Sequence, residues 1–173
     1  MVKEQPEPWL RGTHTEVEPV RRAVLHALEL AEEDVLRWTA DLDEETLEME
    51  PLGLPSAAFQ MRHIAGSIDR LMTYAKGQPL TDVQLQALRE ERIAGHAPDT
   101  LRKQVVEAIR SVDSLMAHLS QDELSQSRVV GRAALPTTLA GLLIHIAEHT
   151  QRHVGQLITT AKVAVALKAA QDS

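Results

Sequence analysis

Apolar residues recur at intervals of three and four along most of this 173-residue chain, and no run alternates as a half-buried strand would. Such a chain can bury its apolar surface only by packing helix against helix. From about residue 18 to 41, Val20, Val24, Leu28, Ala31, Val35 and Trp38 mark one helix face, and Pro19 suits the first turn. Pro51, Gly53 and Pro55 then break the chain. Ser56 is placed to cap a second helix carrying Phe59, Ile64, Ile68, Leu71 and Ala75, stopped by Gly77 and Pro79. A short helix is expected over residues 81–92. After Gly95 and Pro98 a third long helix turns Leu101, Val105, Ala108, Val112, Leu115 and Leu119 inward. A polar, irregular stretch over 120–136 leads to a fourth helix, from Thr137 or Thr138 to about Leu167. Val129 and Val130 give the one short β signal, with no partner run beside them. The pattern predicts an all-α fold, a four-helix bundle with short connecting helices. The connections near 77–98 and 120–136 have the length for crossovers.

With 43% hydrophobic and 25% charged residues, the composition is that of an ordinary globular domain. One domain is expected over residues 15–167. An extended lead-in (1–14) precedes it, pinned by Trp9 and Leu10, and a short tail (168–173) follows. A net charge of −7 argues against a nucleic-acid binder, which normally presents a basic face. The sequence shows neither the apolar run of a signal peptide nor about 18 consecutive apolar residues for a membrane span. The expected setting is cytoplasmic, away from membranes. With no cysteine in the chain, any metal must be held by nitrogen and oxygen, and any thiol must come from a substrate.

The chemistry-bearing stretch is His145-Ile-Ala-Glu-His149-Thr-Gln-Arg-His153-Val-Gly-Gln156. Residues four apart stack on one helix face, and two imidazoles so placed can grip a divalent metal. On spacing alone, His145 with His149 and His149 with His153 are equal pairs. Ile146, Leu139, Leu157, Leu143, Ala161 and Val154 fill the neighbouring arc, which puts the histidines at the border of core and water. Two ligands on one helix seldom suffice, and His63, at the core boundary of the second helix, is the best third. His14, His26, His96 and His118 are poorly placed by pattern. Gln156, on the histidine line, is either a partner for an imidazole or a surface glutamine. Arg70 and Tyr74 project along the line of His63 and are candidates for meeting an anionic substrate group; the alternative for Arg70 is an ion pair with a neighbouring acid. Glu148 and Arg152 form an i, i+4 ion pair. Gly66 and Gly141, inside helices, either allow close helix contacts or leave room at a pocket.

These residues carry a resemblance. Gln60-Met61-Arg62-His63-Ile64-Ala65-Gly66, with His149-x3-His153-x-Gly155-Gln156 some 85 to 90 residues later, resembles the DinB-like superfamily of four-helix bundles, which includes YfiT-like metal hydrolases. The likeness covers roughly residues 15–165. It implies metal ligation by His63, His149 and His153, with His145 at a position where relatives often carry a non-ligating histidine. Where the family often has His-His-Arg-Gly-Gln, this chain has Arg152-His153-Val154-Gly155-Gln156, a difference that spares the ligand positions. The resemblance further implies a divalent transition metal, nickel or zinc first, iron or manganese next. The implied activity is metal-dependent activation of a low-molecular-weight thiol or of water, in a thiol S-transferase or a hydrolase. Gln60, Gln156, His145, Arg70 and Tyr74 are the candidates for supporting the metal or touching substrate. A different class of reading is a non-catalytic metal-binding module serving stress response or structure, dimeric through its helix faces.

Overall fold

The computed structural model describes residues 5–171. Four long helices form a bundle: α1 (Pro19–Thr39), α3 (Ala57–Ala75), α5 (Pro98–Met116) and α6 (Leu139–Gln171). Two short helices, α2 (Glu44–Glu48) and α4 (Asp82–Glu90), lie in the connections. Each start has a local cause. Glu18 accepts hydrogen bonds from the backbone of Val20 and Arg21, with Pro19 opening α1. Ser56 accepts from Phe59 N to cap α3, and Thr81 and Gln84 cap α4 reciprocally. Gly77, at φ +72°, ends α3 with Gln78 N bonded back to Thr73 O.

The apolar stripes meet in one core. Leu28, Ile64, Ile68, Val105, Leu143, Ile146 and Leu157 are all fully buried. On α5 the inner line is Leu101, Val105, Ile109, Val112 and Met116, slightly rotated from the expected one, with Ala108 and Leu115 at its edge. Both α1 and α3 pack against α5 and α6, so α1 lies diagonally across from α3, and α5 from α6. The crossovers are therefore the segments 40–56 and 117–138. The segment 76–97, long enough for a crossover, joins neighbours instead. This arrangement makes α3 and α6 adjacent.

Residues 127–138 depart from the all-helical expectation. Ser127–Val130 (β1) pairs antiparallel with Leu135–Thr138 (β2), Val129 opposite Pro136. A two-stranded ribbon leaves an edge free, so the missing N–H of Pro136 breaks no needed bond. Arg128 Nε donates to Ala75 O at 2.6 Å, fastening the ribbon to the end of α3. At the entry to α6, Thr138 Oγ1 accepts from Gly141 N, and a Cβ at Gly141 would stand 2.6 Å from Thr137 Oγ1. That glycine leaves room for the threonine.

The ends also differ from expectation. Trp9 and Leu10 are 61% and 58% exposed, whereas Pro8 is buried in a 3-10 turn. Polar ties hold the segment: Arg11 forks onto Glu33, Thr13 meets His26 and His14 meets Glu29. Residues 168–171 continue α6, and Lys168 reaches Asp43 at 2.9 Å. Residues 1–4 of the expected lead-in and 172–173 of the tail lie outside the described residues. Among the described residues no helix is long and apolar enough to cross a membrane.

Candidate metal centre

His63 lies in the second turn of α3, and His149 and His153 lie one turn apart near the middle of α6. Where these helices pack, the three rings converge. The ring of His63 is 5.2 Å from that of His149 and 4.3 Å from that of His153, centroid to centroid, and His149 is 4.4 Å from His153. Nε2 of His63 and Nε2 of His149, 86 residues apart in sequence, are 3.1 Å apart in space. One nitrogen from each of the three rings lies within 4.8 Å of the other two. Two ligands at about 2.1 Å from a common metal, at right or tetrahedral angles, stand about 3.0–3.4 Å apart, so the spacing suits a shared divalent ion.

The outer nitrogens are already engaged. His63 Nδ1 donates to Glu91 Oε2 at 2.8 Å. A carboxylate only accepts, so a proton sits on Nδ1, and Nε2 is the nitrogen left to face α6. His153 Nδ1 donates to Gln60 Oε1 at 2.7 Å, and Gln60 Nε2 donates in turn to Gln156 Oε1 at 3.0 Å. Such outer partners fix ring orientation and tautomer in metal centres. Phe59 stacks on the His63 ring at 5.7 Å, and the Arg92 guanidinium lies 4.8 Å over Phe59.

Glu91, just past α4, is buried and clamped from α3. Arg70 donates to its Oε1 at 2.7 Å, and Arg62 Nε to its backbone oxygen at 2.7 Å. Arg62 also forks onto Glu48 of α2 at 2.6 and 3.0 Å. Burial pushes the Glu91 carboxyl up, but hydrogen bonds from His63 and Arg70 outweigh it and hold it below the usual carboxylate range. On α6, burial first and the neighbouring His63 second depress both histidines, His153 to about 4. These two rings stay neutral near pH 7, as ligands must.

The remaining candidates occupy other places. His145 is exposed, donates from Nδ1 to Glu148 at 2.7 Å and lies outside the converging set. Glu148 also receives Arg152 at 2.6 Å, the ion pair expected from their spacing. Arg70 is only 9% exposed and committed to Glu91, so it supports His63 indirectly. Tyr74 sits roughly 16 Å further along α3, lining a groove with Pro79, Val129 and Arg132. Sequence reasoning missed Glu91 and Glu48. Glu91 stands in Arg89-Glu90-Glu91-Arg92, which reads as solvated surface, and nothing in the local pattern marks it.

A family model described as the DinB superfamily matches residues 18–157. No curated protein matches the sequence. Three solved structures share the fold at low identity. A conserved protein from Enterococcus faecalis superposes with a TM-score of 0.71 at 13% identity, over 87% of this chain and 99% of its own. YfiT from Bacillus subtilis, described as "a probable metal-dependent hydrolase with an unusual four-helix bundle topology", gives 0.62 at 13%, over 82% and 86%. A DinB-like protein from Bacillus cereus gives 0.63 at 14%, over 82% and 90%.

Proposed function

The chain belongs to the DinB superfamily, and on that footing we propose that it is an enzyme that activates a small thiol or water at a divalent metal held by His63, His149 and His153. The observation that carries this reading is the convergence itself: ring nitrogens from α3 and α6 face one another at 3.1 Å, while the far nitrogens of His63 and His153 are tied to Glu91 and Gln60. Three imidazoles suit zinc or nickel, and such a centre differs from a closed structural one in leaving coordination positions for a substrate. When bound, the metal would supply Lewis acidity, lowering the pKa of a thiol or water so that a nucleophile forms near neutral pH.

The protein's own part is preorganisation. Glu91 and Gln60 hold two rings in the tautomer that turns Nε2 inward. Phe59 covers one face of His63, and exposed Arg92 above it is free of the carboxylate network and placed to receive an anionic substrate group. The chain contributes no thiol, so a sulfur nucleophile would be the cosubstrate's.

The first test is the metal content of purified protein and of its His63→Ala and His149→Ala variants. Full metal content in both variants refutes the ligand assignment. The second is turnover with a panel of low-molecular-weight thiols and electrophiles, and with simple esters and amides for water attack. Metal bound without turnover in either panel would mean a binding module instead of an enzyme.

A further inference from the structure

We propose a second divalent-metal site, separate from the histidine triad, formed by His14, His26 and Glu29 where the N-terminal segment crosses α1. One ligand atom from each of the three lies within 4.8 Å of the other two. His26 and Glu29 are three apart on α1 and so share a face, and the third ligand arrives from outside the helix. His14 Nε2 is 2.6 Å from Glu29 Oε1, and the two imidazole rings are 5.5 Å apart. None of the hydrogen bonds or ring contacts of this cluster reaches the triad on α3 and α6.

Two imidazoles and a carboxylate are a zinc-type donor set. His26 is 8% exposed, and its Nε2 has a neutral partner, Thr13 Oγ1, at 3.0 Å. His14 is half-buried with φ +54°, a costly region for a residue with a side chain, and from that turn its ring reaches Glu29. The surroundings are acidic. Asp113 on α5 is pushed up by desolvation and then by the charges of Glu29 and Glu32, with His14 and Arg110 opposing. A divalent cation would meet both needs, occupying the donor set and relieving the repulsion. It would also tie residue 14 to residue 26, adding to the Arg11–Glu33 fork and the burial of Pro8 that hold the N-terminal segment.

The test is zinc titration of the full chain by calorimetry, with bound zinc counted after dialysis. Wild type is expected to hold two equivalents and H149A/H153A one. Adding H14Q or E29Q to that variant should remove the last equivalent, and H14Q alone should take wild type from two to one. Zinc should also slow trypsin cleavage after Arg11 in H149A/H153A, and no longer do so once H14Q is added. A second equivalent that survives both H14Q and E29Q is zinc held elsewhere, for example by the exposed His145–Glu148 pair, and overturns the proposal. So does a single equivalent in wild type that H14Q leaves intact. A single equivalent lost in H14Q but kept in H149A/H153A would support this site and count against the triad, so the two readings fail separately.

Discussion

A Cβ built on Gly66 would stand 2.6 Å from Oε1 of Glu91 and 2.9 Å from the Arg70 guanidinium. The glycine is therefore the gap through which the carboxylate reaches His63. Alanine favours helix over glycine by about 1 kcal/mol, which offsets only part of the cost of pushing the buried Glu91–Arg70 pair apart, so Gly66→Ala should lower thermal stability. The displaced carboxylate should also loosen His63, lowering metal affinity by about 10- to 100-fold. Calorimetric metal titration beside a melting curve checks both; unaltered affinity would remove Glu91 from the centre.

Gln60 is 1% exposed and joins His153 to Gln156. Gln60→Leu keeps the volume but orphans the Nδ1 proton of His153, at a cost of about 1–3 kcal/mol. Metal affinity should fall by about tenfold or more, whereas Gln156→Ala, whose side chain is exposed, should do much less. Equal effects of the two variants would mean that Gln60 does not orient the ring.

Acidification should weaken the metal-free fold through His153. The folded ring titrates at about 4, against about 6.5 in an unfolded chain, so the unfolded state takes up the proton first. This contribution is fully present above pH 6.5 and is withdrawn as pH falls from there toward 4. Proton NMR should place the His153 midpoint near 4, and His153→Asn should flatten the decline of the melting temperature in that window. Glu91, held below the usual range, stays ionised through much of it.

Because the three rings already face one another, a bound ion should stabilise the native state without rearranging it. At a free metal concentration of about 100 times Kd the gain is about 2.7 kcal/mol. For a domain of this size that raises Tm by about 5–10 °C. Thermal scans with nickel or zinc should show the rise in wild type, reduced by the triad's share in His149→Ala.

The helices were legible because their apolar spacing is a local property: Leu28, Ile64, Ile68 and Leu157 lie in the core where periodicity puts them. The Ser56 cap and the Pro19 start were equally plain, whereas the Glu18 cap was not foreseen. Tertiary effects were not. Pro136 hid β2, since a residue without an N–H reads as a breaker until one sees that its strand lies at an edge. Connection length was a partial guide: 117–138 crosses the bundle, as its length allows, but so does 40–56, which is shorter than 76–97, the connection that joins neighbours. Trp9 and Leu10 are apolar yet exposed, while Glu91 is charged yet buried because Arg62 and Arg70 converge on it from another helix. At the centre, the ring spacing on α6 was visible, but the choice of His149 with His153 over His145 with His149 came from family resemblance alone. The structure gives a physical counterpart: His145 has turned out of the α3–α6 seam to pair with Glu148.

The placement of the three histidines on α3 and α6 also sets an order in time. His63 leaves the ribosome 86 residues ahead of His149, a delay of roughly 4–17 s at about 5–20 residues per second. Throughout that interval a nascent chain offers an ion only one of the three rings, too weak a hold to trap a half-made bundle. Under the proposed ligation, ion capture at the triad would report that helix docking is complete, and a ribosome-bound chain stalled before α6 should acquire none there.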